Sequence, residues 1–135
     1  MNKVVVDTDV VSFAFRGDTR ALLYAPHLDG KINVISFMTY AELLRGALNR
    51  NWGAKRHADL TAFIKSRYVI VHPNRKTCEA WARLIDQAKK SGRILKTADG
   101  WIAATAETLG VPLVTNNARD FLYLQGLTVI TESNS

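Results

Sequence analysis

Three consecutive β-branched residues, Val4-Val5-Val6, run straight into Asp7-Thr8-Asp9. A strand with no polar alternation is buried on both faces, which places it inside a parallel sheet covered by helices. Comparable short runs follow at residues 33–36, 68–71, 112–115 and 127–130. Between them lie stretches of helical character at 19–28, 39–49, 54–66, 76–90 and 97–109, and a short helix at 118–124. Asp29-Gly30, Ser91-Gly92 and Gly110 supply the stops. Leu43, Leu44, Ala47 and Leu48 mark one apolar helix face, and Ile102, Ala103, Ala106 and Leu109 another. Strands alternating with amphipathic helices predict an α/β fold, one domain over residues 1–135, with a central parallel sheet of about five strands and helices on both faces. Such sheets bind ligands at the carboxyl ends of their strands, where Asp7, Ser36 and Thr115 stand.

A chain of 135 residues buries a core without needing cross-links. Cys78 is its only cysteine, and His27, His57 and His72 have no metal-ligand spacing. Any metal would therefore be held by oxygen, which selects Mg²⁺ or Mn²⁺. No apolar run approaches the ~18 residues of a membrane helix, so no membrane is expected and the cytoplasm is the expected address. The net charge of +6 favours a polyanionic partner. If Asp7, Asp9, Glu42, Asp99 and Asp120 share one site, the rest of the surface is more basic still. A basic body around an acidic pocket suits a nuclease, the body attracting phosphates and the pocket retaining a cation.

Each acid also has a structural reading. Thr39-Tyr40-Ala41-Glu42 matches a capping box, Asp99 suits the positive end of a helix beginning at Thr97, and Asp120 follows Asn117 in a cap-like pattern. Helices that start at the carboxyl edge of a parallel sheet would nevertheless gather these acids around Asp7. Asp7-Thr8-Asp9 also has the D-x-D form that resembles haloacid-dehalogenase phosphatases, in which Asp7 would be a nucleophile. The chain offers no suitably placed lysine or late Asp-Asp pair for that chemistry. A non-catalytic RNA-binding protein would need aromatics interleaved with basic residues on a platform. Trp52, Trp81 and Trp101 are scattered instead.

Four segments in order, around Asp7, around Glu42 (Thr39 to Gly46), around Asp99 (Ala98 to Ala104) and from Leu113 to Phe121, resemble the successive motifs of PIN-domain ribonucleases, and in order, spacing and length those of VapC toxins. The resemblance implies a PIN-like domain and an endoribonuclease dependent on Mg²⁺ or Mn²⁺. It implies Asp7, Glu42, Asp99 and Asp120 as the acidic quartet, with Asp7 and Asp99 the principal metal ligands. Thr115 would position a carboxylate or water, Asp9 would stand behind the ligands, and Asn117 competes with Asp120 for the fourth place. Arg45, Arg50 and Lys96 are candidates for gripping the RNA backbone. The same resemblance implies a homodimer and a cognate antitoxin that silences the pocket with a basic side chain. Apolar residues around Phe13, Phe15, Phe37 and Tyr40 are expected to be exposed for one of these contacts.

Overall fold

The strand built on Val4-Val5-Val6 is the middle of the sheet. A computed structural model describes residues 2–133. It contains β1 (Lys3–Val6), α1 (Thr8–Arg16), α2 (Ala21–Leu28), β2 (Ile32–Ser36), α3 (Phe37–Asn49), α4 (Ala54–Arg67), β3 (Val69–Val71), α5 (Arg75–Lys90), α6 (Thr97–Leu109), β4 (Leu113–Val114) and β5 (Val129–Ile130), with a 3₁₀ turn at Ala118–Asp120. All pairings are parallel and the order is β3-β2-β1-β4-β5. The sheet, its direction and the helices on both faces are as the alternating pattern predicts.

The period of two along β1 divides the core. Val4 and Val6 pack with Val10, Phe13, Tyr24, Leu43 and Ile64 from the first four helices. Val5 faces the other way, onto Leu84, Ile102 and Ala103 of α5 and α6. From β1 the chain proceeds to β2 on one side and returns through β4 on the other. That reversal opens a crevice at the carboxyl end of β1. Asp7 lies at its mouth, its N–H held by the Val114 carbonyl at 2.9 Å.

Several local expectations are corrected. Residues 8–16 form a helix that the β-branched Val10-Val11 disguised; Asp7 caps its start, and Gly17 (φ 67°) ends it. α3 begins at Phe37 with Ser36 as its cap, the Ser36 hydroxyl accepting from the Met38 N–H at 3.1 Å, so Thr39 and Glu42 are not a capping box. The capping box belongs to Asn74 and Thr77 at the start of α5. The helix expected at 118–124 is only the 3₁₀ turn, and Asn117 makes no side-chain cap. Leu48 and Leu109 are exposed rather than inward. Phe13 is core, and Phe15 and Tyr40 are partly buried against the same cluster, so these do not form an exposed apolar surface.

Gly100 reads as a poor choice inside a helix, and packing explains it. A Cβ there would stand 2.9 Å from Trp81 Nε1 and 3.0 Å from Ile85 Cδ1. Trp81 cannot retreat easily, because it stacks on Trp101 at 5.1 Å. Glycine thus lets α5 and α6 approach closely. Gly100→Ala is expected to destabilise the fold by about 1–2 kcal/mol despite the better helix propensity of alanine, and a thermal melt that is unchanged or raised would contradict this packing account.

Candidate active site

The Asp7 carboxylate is almost fully buried, at 6% exposure. One oxygen accepts from the Thr8 N–H at 2.8 Å and the other from the Thr115 hydroxyl at 2.7 Å. Thr115 is itself buried just beyond β4 and accepts from the Asn117 N–H at 3.0 Å. Burial pushes the Asp7 carboxyl up to about 8, and the neighbouring charge of Asp9 pushes the same way. The two hydrogen bonds only partly offset this.

Asp9, in the first turn of α1, accepts from the Val10 N–H at 2.7 Å and the Asn116 N–H at 3.2 Å. Its pKa is raised by burial. Asn116 is anchored in turn, its side-chain oxygen accepting from the Tyr24 hydroxyl at 2.6 Å. The Thr8 hydroxyl donates to Glu42 at 2.6 Å and lies 3.0 Å from the Thr39 hydroxyl. This ties α3 to the start of α1. Asp99, in the first turn of α6, is raised to about 6, chiefly by burial and then by the charges of Asp120 and Glu42.

Asp7, Asp9, Glu42, Asp99 and Asn117 line one cavity of about 420 Å³. Asp120 stands outside its wall, bonded to the Asn117 amide, yet it is the acid with the largest effect on Asp99. Of the basic candidates, Arg50 lines this cavity, whereas Arg45 lines an adjoining groove that shares Glu42 and Gly46 with it. Lys96 is exposed, and its positive charge opposes the rise at Asp99. Sequence reasoning missed Thr8 and Arg16. Asp7 and Gly17 bracketing nine residues was the available signal for a helix at 8–16, and so for Thr8 and Arg16 facing the site.

Among the described residues, no three His, Cys, Asp or Glu side chains converge closely enough to hold a metal ion. Asp7, Asp9, Glu42 and Asp120 are turned instead to N–H, hydroxyl or amide donors. The donor chemistry still fits a hard divalent cation: all the acids offer oxygen, and burial pushes Asp7, Asp9 and Asp99 toward protonation, with neighbouring acids adding to the rise at Asp7 and Asp99. The cavity wall also carries Arg16 and Arg50.

The family model of the PIN domain matches residues 4–126. The chain belongs to the PIN domain family. Among PIN-domain relatives, ribonuclease VapC1 of Rickettsia felis is 31% identical over 133 residues, 97% of each chain. Ribonuclease VapC1 of Haemophilus influenzae is 34% identical over 89 residues, and that match spans 65% of each chain. The fold superimposes on VapBC2 of Rickettsia felis, a crystal structure with a promoter DNA fragment, with a TM-score of 0.84 at 22% identity, covering 96% of this chain and 98% of the other. It also superimposes on a toxin–antitoxin complex from Klebsiella pneumoniae with a TM-score of 0.70 at 26% identity, covering 95% and 96%.

The PIN site makes stability depend on pH in a defined direction. Asp7 and Asp99 have folded-state values of about 8 and about 6 against an ordinary 3.8, so between about pH 4 and 8 the metal-free native chain holds protons that the unfolded chain has lost. Their contribution to stability is therefore present at low pH and declines as pH rises through that window. In EDTA, wild type minus Asp7→Asn melting temperatures should fall from pH 5 to pH 8. A difference that rises or stays flat would contradict the buried, repelled state of Asp7.

Proposed function

We propose that this PIN-domain chain is a VapC-type endoribonuclease toxin that uses Mg²⁺ or Mn²⁺ to hydrolyse RNA phosphodiester bonds. The observation that carries the reading is the buried Asp7, held beside Asp9, Glu42 and Asp99 in one cavity of a basic protein. The relatives' shared designation as ribonuclease VapC supports the reaction class.

Asp7 and Asp99 would hold the metal, with Glu42 and Asp9 at its sides and Asp120 acting through the Asp99 charge. Bound there, the ion would lower the pKa of a water and neutralise charge on the phosphoryl oxygens. Thr115 fixes the orientation of the Asp7 carboxylate, and Thr8 holds Glu42 to α1. Arg16 and Arg50, in the same wall, attract the phosphate backbone toward acids that would otherwise repel it.

Solved relatives in a toxin–antitoxin complex support a protein partner that silences the site, and a basic side chain is the complement its charge demands. Self-pairing into a homodimer belongs to the same proposal. The phosphatase alternative needs a lysine beside Asp7, and among the described residues no lysine lines the cavity. Incubation with BeF₃⁻ and a small phosphomonoester is expected to give neither an Asp7 adduct nor turnover.

Asp99→Asn separates a catalytic from a structural role. Lys96, the residue before α6, gives it no side-chain cap, so Asp99 helps the helix only through its charge, worth at most ~1 kcal/mol, while it repels its neighbours. In EDTA the variant should melt at an unchanged or slightly higher temperature. It should also lose most of the stabilisation given by Mg²⁺ and nearly all RNA cleavage, which EDTA should abolish in the wild type. A destabilised but fully active Asp99→Asn would remove Asp99 from the site.

A further inference from the structure

The acidic cavity has a second end. Beyond the carboxylates its wall is made by Phe15, Leu43, Leu60 and Trp52, with Arg16 and Arg50 among them. Trp52 reaches this place by a specific backbone device. At the end of α3, Asn51 takes a left-handed conformation (φ 55°), the one non-glycine residue among those described with positive φ. The reversal lets the Trp52 N–H bond the Ala47 carbonyl at 3.1 Å, which turns the indole back toward α1. There Phe15 meets it at 5.7 Å, and the Arg56 guanidinium lies 4.2 Å over its ring.

Gly46 is the second observation. It sits in the interior of α3, where glycine weakens a helix, and it lines the same cavity. Packing does not demand it: an added Cβ would meet nothing closer than the Arg50 guanidinium, at 3.4 Å. Glycine here keeps open a space that the protein itself does not fill.

We infer that this lobe is a nucleotide subsite, in which the base next to the cleaved phosphodiester lies against Trp52 and Phe15 while Arg16 and Arg50 hold its phosphate. The inference rests on the nuclease reading of the acidic end. Because both ends belong to one cavity of about 420 Å³, the lobe lies within reach of a nucleotide flanking a phosphate at the acids. An aromatic surface with arginines serves both parts of a nucleotide, the π-face and the charge. An apolar protein side chain would use the aromatics but not the two arginines in the same wall.

The experiment first maps cleavage sites on a randomised single-stranded RNA pool. It then measures kcat/KM for an oligonucleotide carrying a preferred site, intact or with one abasic nucleotide on either side of the scissile bond. Wild type should lose roughly tenfold to a hundredfold at one abasic position. Trp52→Leu should show the same loss on intact RNA and no further loss on that abasic RNA, while Trp52→Phe keeps most of the rate. Gly46→Val, which adds bulk to the lobe beside the Arg50 guanidinium, should reproduce the Trp52→Leu pattern and decides the matter if Trp52→Leu does not fold. Equal abasic sensitivity in wild type and both variants would overturn the subsite. A Trp52→Leu enzyme that cuts RNA normally but escapes its protein inhibitor would overturn it too, assigning the lobe to a protein side chain. A pool left intact by the wild type would overturn the nuclease reading itself, and the subsite with it.

Discussion

Everything in the site is arranged around a carboxylate that cannot easily be charged. Asp7 ends the central strand, caps α1 and accepts a hydrogen bond from Thr115 beyond β4, so one side chain joins three elements. Its neighbours are Val6 on the strand and Val10 on the helix, both in the core. Burying a carboxylate among such groups is unfavourable unless donors or a cation compensate. Two hydrogen bonds do so in part, and the remaining deficit shows as the elevated pKa. Asp9 and Asp99 deepen the deficit rather than relieve it.

The opposition of charges explains how a basic chain carries an acidic centre. Arg16 and Arg50 border the carboxylates without forming salt bridges to Asp7, Asp9 or Asp99; Arg16 is engaged with Asp18 instead. Asp9 and Asp99 stay pushed toward protonation even with Arg20 and Lys96 opposing the rise, while a positive rim faces an approaching polyanion. That rim should make binding weaken with salt.

Much of this was legible in the sequence, because burial on both faces leaves an unmistakable trace. Val4-Val5-Val6 and the alternation that follows were enough for the parallel sheet, and the strand-end rule located Asp7 and Thr115 together. The helix at residues 8–16 was not legible from composition, since Val10-Val11 favours a strand and Asp7 looked fully employed as a site residue; in fact it serves as both ligand candidate and cap. Thr39 and Glu42 imitated a capping box by spacing alone. The real cap, Ser36, lies a turn earlier, so Thr39 and Glu42 turn inward to Thr8. Arg45 and Arg50 carry the same charge in one-dimensional text. Five residues along a helix rotate a side chain by roughly 140° to another face, and only Arg50 reaches the cavity. Asp120 and Asn117 were indistinguishable because their roles depend on a tight 3₁₀ turn that periodicity does not reveal.

The central claim is that the buried, mutually repelling acids are completed by a divalent cation. Calorimetric titration of the metal-free protein with Mn²⁺ at pH 7, repeated in buffers of different ionisation enthalpy, tests it directly by counting protons. With Asp7 at about 8, most of the chain carries a proton on that carboxyl at pH 7, and the cation must displace it. The account predicts saturable binding that releases a substantial fraction of a proton per ion, with the release absent at pH 9 or in Asp7→Asn. Failure to bind Mn²⁺, or tight binding with no proton released at pH 7, would contradict it.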